Sequence, residues 1–236
     1  MLDNWHTFAR HLSEDFTVYT PDLRNHGRSP HSDMFNYEAL SADIREFIQT
    51  HRLGAVALMG HSLGGKTAML TALAWPDLIS RMIVVDIAPR AYAPGHDIII
   101  EALQQTDPTT AANRSEVEEA LMARIGNIGV TQFLLKNLAR GEEGHLHWRM
   151  NLPVLARDYL NTTSAITSAH PYPGPTLFVR GALSRYVTDE DLPEIQALFP
   201  QAHLVTIPGA GHWVHADAME SLLVVTRQFL QTSGNV

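Results

Sequence analysis

The chain alternates short apolar runs with longer stretches in which apolar residues recur every three or four positions. Five runs read as buried strands, each short and bounded by Gly, Pro or Asp: Phe16–Asp22 (FTVYTPD), Ala55–Gly60 (AVALMG), Arg81–Asp86 (RMIVVD), Thr176–Gly181 (TLFVRG) and His203–Pro208 (HLVTIP). Between them the period is helical. Tyr37–His51 sets Leu40, Ile44, Phe47 and Ile48 on one face, and Asp217–Leu230 closes the chain in the same way. The repeated strand–helix order predicts an α/β fold, a mostly parallel sheet with helices on both faces.

One interval breaks the rhythm. From about Ala91 to Ala169 no strand is expected, only helical segments such as HDIIIEALQQ, SEVEEALMARI and GVTQFLLKNLA, before PYPGP turns the chain into the next strand. The predicted organisation is a core made of residues 1–90 and 170–236, with residues 91–169 inserted as a helical cap over the sheet.

Composition narrows the function classes. At 236 residues and 45% hydrophobic, the chain can bury a core of its own. A net charge of −8 gives no broad attraction to nucleic acid or an anionic membrane, so a small-molecule partner fits better. No apolar run is long enough to span a bilayer and the start lacks the pattern of a secretory signal. A cytoplasmic location is the default expectation, although the absence of cysteine leaves the redox compartment unread.

The run at Ala55 breaks into Gly60-His61-Ser62-Leu63-Gly64-Gly65 and then turns apolar again. A G-x-S-x-G between a strand and a helix predicts a nucleophile elbow. Ser62 stands at the tip of a strained turn, with His61 beside it and with Gly60 and Gly64 small enough for strand and helix to pass closely. The backbone N–H of Leu63, at the helix N-terminus, is the candidate oxyanion donor.

A serine hydroxyl needs a base to become a nucleophile. Of thirteen histidines, His212 lies in the Gly-rich loop IPGAGHWVH after the last strand and downstream of the serine, the order this type of site requires. His215 competes but sits nearer the following helix. His145 and His147 hint at a metal pair, yet no further ligands cluster beside them, so an exposed patch is expected and no metal. A carboxylate must orient the imidazole. In the commonest arrangement an Asp follows the strand at Thr176, but here Ser184 stands in that place and Asp189, Glu190 and Asp191 come late. Asp86 ends the preceding strand at the same edge of the sheet as Ser62 and is the favoured acid, with Ser184 expected to matter little.

The segments PDLRNHGRSP, GHSLGGK, VVDIAP, QFLLKNL, NLPVL and GAGHWVHA together resemble the α/β-hydrolase superfamily, and within it the YbfF-like bacterial esterases, over essentially the whole chain. That resemblance implies an α/β-hydrolase fold and a triad of serine, aspartate and histidine, carried here by Ser62, Asp86 and His212. It implies cleavage of simple esters and acyl thioesters, acyl-CoA included, with neither metal nor organic cofactor. A serine at position 184 agrees with this branch. Hydrolases of this fold also carry, ahead of the segment matching LDNWHTFARHL, further strands and a His-Gly turn that gives a second oxyanion donor, and this sequence starts past them. On that basis a central strand between those at Phe16 and Ala55 is expected to be missing, and a protein beginning at Met1 to be a weak and poorly stable hydrolase.

Other residues carry smaller expectations. Arg24, Asn25 and His26 should shape a loop turned by Gly27, and Lys66, one helical turn past Ser62, should meet a carboxylate. Trp213, Phe133 and Trp148 are candidates to line an acyl pocket. The combined reading is a serine esterase or thioesterase. Two alternatives stand beside it: another reaction on the same fold, such as C–C bond hydrolysis or perhydrolysis, and a ligand-binding relative with weak or no catalysis.

Overall fold

The computed structural model describes residues 4–142 and 144–232. They divide into a larger unit, formed by Trp5–Tyr19, Asn36–Tyr92 and the chain from Ser164 onward, and a smaller one, formed by Thr20–Phe35 and Ala93–Thr163. Along the chain the larger unit contributes α1 (His6–Leu12), α2 (Tyr37–Thr50), β1 (Val56–His61), α3 (Leu63–Ala74) and β2 (Ile79–Val85). The smaller unit follows with α4 (Asp97–Gln104), α5 (Arg114–Ile125), α6 (Ile128–Leu135), β3 (Leu138–Arg140), β4 (Leu146–Trp148) and α7 (Leu152–Arg157). The chain then returns to the larger unit through β5 (Thr176–Gly181), α8 (Leu192–Leu198), β6 (Ala202–Ile207), α9 (Val214–Asp217) and α10 (Met219–Gln231).

In the larger unit β1, β2, β5 and β6 form a parallel sheet in that order. Met82, Ile83, Val84 and Val85 of β2 are all buried, as a strand covered on both faces requires, which is why its sequence reads as an unbroken apolar run. Ile83, Val85, Leu177, Val179 and Ile207 share one core with Phe8 and Leu12 of α1 and Leu222 and Leu223 of α10. Helix α2 starts where the Asn36 side chain accepts the Ala39 N–H, and it buries Leu40, Ile44 and Ile48. Phe47, expected on the same face, is only half-buried and stacks on His51.

The strand expected at Phe16–Asp22 does not form. Phe16 and Val18 pack against the core, but a strand needs a ladder partner, and no strand among the described residues pairs with that segment or with the outer edge of β1. The outer strand β1 is correspondingly more open than β2, with one fully buried residue, Gly60.

The smaller unit has its own core, in which Leu103, Val117, Leu121, Leu135, Leu138 and Leu146 meet. It was expected to contain helices alone, yet β3 and β4 pair as an antiparallel hairpin, Leu138 opposite Trp148 and Arg140 opposite Leu146. Thr20–Phe35 belongs to this unit through side chains that bridge more than a hundred residues of sequence. Asn151 donates its backbone N–H to Asn25 O at 2.9 Å and its amide to Asn25 Oδ1 at 3.0 Å, and the Asn161 amide reaches Phe35 O at 3.0 Å. Gly27 takes φ 57° within this loop, as its turn requires, and Asn25 is fully buried. Among the described residues no helix is long and apolar enough to cross a membrane.

Candidate active site

The parallel register brings successive strand ends to one edge of the sheet. His61 pairs with Val85, so Ser62 and Asp86 leave β1 and β2 side by side, and the Ser62 N–H donates to Val85 O at 3.1 Å. Four non-glycine residues among those described have positive φ, and Ser62 and Asp86, both at 51°, are two of them. Such backbone costs about 1–3 kcal/mol per residue and persists only where its surroundings impose it, which is a mark of functional sites.

The glycines of the elbow divide the crowding unequally. A Cβ on Gly60 would lie 2.0 Å from Gly64 O, and one on Gly65 would lie 2.6 Å from Ile87 Cγ2, whereas one on Gly64 would meet nothing within 4 Å. Close passage of strand and helix therefore rests on Gly60 and Gly65, not on Gly64 as the motif suggested. Leu63 opens α3, so its N–H is among those that a helix cannot satisfy from within.

Asp86 is fully buried and accepts three hydrogen bonds. The Gly181 N–H reaches Oδ1 at 3.0 Å, while Oδ2 accepts both His212 Nδ1 at 2.7 Å and the Ser184 hydroxyl. A carboxylate only accepts, so the His212 proton sits on Nδ1 and Nε2 is the nitrogen left with a lone pair. The loop that carries His212 is held in turn by Gly211 N–H donating to Asp217 Oδ2 at 2.8 Å, and Trp213 follows as the residue that caps α9.

Two further rings surround the imidazole. His61 Nε2–H donates to the His212 carbonyl at 2.8 Å, and the two rings lie 4.6 Å apart. Burial, and the neighbouring His212 and His215, hold His61 well below the usual imidazole range, so it stays neutral. On another side the Tyr186 ring stacks on His212 with centroids 3.9 Å apart. Neither Tyr186 nor Ser184 was expected at the site. The place of Ser184 after β5 was the one available clue, and nothing in the sequence points to Tyr186.

Other expectations resolve differently. Asp189 pairs with Arg180 at 2.8 Å, and Asp191 pairs with Arg90 at 2.7 Å and caps its own turn through Thr188, so both are engaged elsewhere. Lys66 does not meet a carboxylate. Its ammonium donates to Arg90 O at 2.7 Å and Ser164 O at 2.5 Å, with the Tyr92 ring 4.8 Å away. Phe133 and Trp148 pack against the core of the smaller unit, where Trp148 Nε1–H reaches Thr106 O at 3.3 Å. His145 and His147 are exposed at the β3–β4 hairpin.

A parallel sheet whose strand ends carry a strained serine and a carboxylate-bound imidazole defines an α/β hydrolase. Sequence leads to the same class: residues 3–223 match the Alpha/beta hydrolase family, and the chain belongs to that family. It is 40% identical over 239 residues to the sn-1-specific diacylglycerol lipase of Xenopus laevis, covering 98% of this chain and 76% of the relative. It is 36% identical over 231 residues to Esterase YbfF of Escherichia coli (strain K12), covering 97% of this chain and 88% of that protein. Among solved structures, a marine microorganism esterase superposes with a TM-score of 0.94 at 44% identity, over 96% of this chain and 90% of the other. These relatives set the chain among carboxylic-ester hydrolases.

Proposed function

We propose that this protein hydrolyses carboxylic esters through an acyl-enzyme formed on Ser62. The His212–Asp86 hydrogen bond at 2.7 Å carries the reading, because it leaves the imidazole in the tautomer that can accept a proton at Nε2. As Ser62 Oγ bonds to the acyl carbon its proton passes to Nε2, and the Leu63 N–H faces the developing oxyanion. When the carbonyl re-forms, the bond to the leaving oxygen breaks and that oxygen takes the proton from Nε2. Water repeats the sequence on the acyl-enzyme, giving the acid and free Ser62. Asp86 stays ionised throughout and stabilises the imidazolium.

The substrate is a small ester or acylglycerol, in keeping with relatives named as an esterase and a diacylglycerol lipase. Acyl thioesters such as acyl-CoA follow the same steps with a thiolate as leaving group. A panel of p-nitrophenyl esters, acylglycerols and acyl-CoAs, run with the parent protein and Ser62→Ala, tests the proposal. The parent turns over at least one class and is labelled covalently by a fluorophosphonate, and Ser62→Ala loses both, with turnover falling by three or more orders of magnitude. Turnover near the parent's in Ser62→Ala refutes it.

A further inference from the structure

The imidazole that acts as base is fixed at two points. Asp86 Oδ2 holds the ring of His212 through Nδ1 at 2.7 Å, and His61 Nε2–H holds its main-chain carbonyl at 2.8 Å. A carbonyl only accepts, so His61 carries its proton on Nε2. The second anchor matters because the loop reaches His212 through Gly209, at φ 73°, and Gly211, where the chain pivots with least restraint. The Leu183 N–H ties Ala210 O at 2.9 Å and Asp217 ties the Gly211 N–H, but beyond that glycine the His212 peptide is tied to the residue that precedes the nucleophile. His61 is seated in turn by a row of rings. It lies edge-on to His215 at 5.0 Å, His215 stacks on Trp5 at 4.8 Å, and Trp5, the N-cap of α1, meets the buried Phe8 edge-on at 5.4 Å.

We propose that His61 is a positioning residue of the base: its hold on the His212 carbonyl sets the distance between Nε2 of that imidazole and the hydroxyl of Ser62, its own neighbour in the chain, and the row of rings through His215 and Trp5 keeps His61 in place. This rests on the serine-hydrolase reading above. The two anchors divide the work. Asp86 sets the tautomer and balances the imidazolium charge, whereas His61 sets where the imidazole stands. With His61 gone the Asp86 contact persists, but the glycine-hinged loop lets the base drift from Ser62, and a displacement of about 1 Å slows proton transfer by up to about a hundredfold. Substrate binding does not run through this contact, so the loss falls on kcat.

The test measures kcat and KM for a p-nitrophenyl ester, with thermal melts, for the parent, His61→Asn, His61→Phe, His61→Gln, Ser62→Ala, His212→Ala, and His61→Asn combined with His212→Ala. Gln carries an amide N–H as many bonds from Cα as the Nε2 of histidine, Asn falls one bond short, and Phe keeps a ring without a donor. His61→Asn and His61→Phe lose about ten- to a hundredfold in kcat with KM within about twofold, and His61→Gln recovers most of that loss. Added to His212→Ala, His61→Asn changes the residual turnover by less than about twofold, because the base that it positions is gone. A kcat near the parent's in well-folded His61→Asn and His61→Phe, or a further loss of about tenfold on the His212→Ala background, overturns the role of His61 alone. A folded His61→Gln with kcat below about a tenth of the parent's overturns it whether or not the other two fold. Activity retained in Ser62→Ala overturns the serine-hydrolase reading and this inference with it.

Discussion

Lys66 gives the protein an alkaline stability profile that can be worked out from its surroundings. The side chain is 1% exposed and its ammonium meets two backbone carbonyls and the faces of Tyr92 and Tyr37, with no carboxylate in contact among the described residues. Burial, aided by the Arg90 guanidinium and partly offset by Glu194, lowers its pKa from 10.5 to about 8. Below pH 8 both folded and unfolded chains hold the proton and stability does not depend on this group. Between about 8 and 10.5 the unfolded chain holds a proton that the folded protein has released, so stability rises with pH. Between pH 8 and 10 the gain is about 2 kcal/mol. For a chain of 236 residues the unfolding entropy is roughly 0.5 kcal/mol/K, so the melting temperature should climb by about 4 °C. Above pH 10 the trend reverses, because burial pushes Tyr92 and Tyr172 up to about 12, and their unfolded forms ionise first. Thermal melts of the parent and Lys66→Met across pH 7.5–11 read the effect, and the Met variant should lose the rise. The chain has two lysines, Lys66 and Lys136, so carbon-13 labelling at Cε gives two resonances, and that of Lys66 should titrate near pH 8. A Lys66 resonance that moves only near 10.5, or an undiminished rise in Lys66→Met, would refute the reasoning.

Two further outcomes follow from the site. Asp86→Asn should lower kcat by about two to four orders of magnitude with little change in KM, since the amide fixes the wrong imidazole tautomer; ester turnover above a tenth of the parent's would put the orienting acid elsewhere. Gly60→Ala should destabilise the protein by more than about 3 kcal/mol or prevent folding, because its Cβ would press on a backbone oxygen 2.0 Å away, while Gly64→Ala, facing open space, should melt within a few degrees of the parent. Equal melting temperatures for the two variants would contradict the geometry of the elbow.

The strand cores were legible because they are local. Thr176–Gly181 was read to the residue, and Ala55–Gly60, Arg81–Asp86 and His203–Pro208 came within two residues, as continuous apolar runs cut by Gly, Pro or Asp. The Ser62 elbow was legible in part for the same reason: the space at Gly60 is closed by Gly64 O four positions on, whereas the second close approach, at Gly65, is to Ile87, 22 positions away, and only the fold brings it there. Phe16–Asp22 has the composition of a strand and is not one, because pairing is a property of two segments and the second is not determined by the first. The hairpin at Leu138–Trp148 escaped notice because three residues per strand are too few to show a period. At the site, the sequence could nominate Asp86 and His212 from their positions after strands, but their 2.7 Å contact joins residues 126 apart and exists because β5 lies between β2 and β6. The same strand order brings Ser184 to Asp86, Tyr186 to His212 and His61 to the His212 carbonyl. Lys66 shows the division most plainly. Sequence established a cation one turn beyond the nucleophile, and only the fold decided that its partners are the carbonyls of Arg90 and Ser164, since which groups are left without a partner inside a core depends on how distant segments pack.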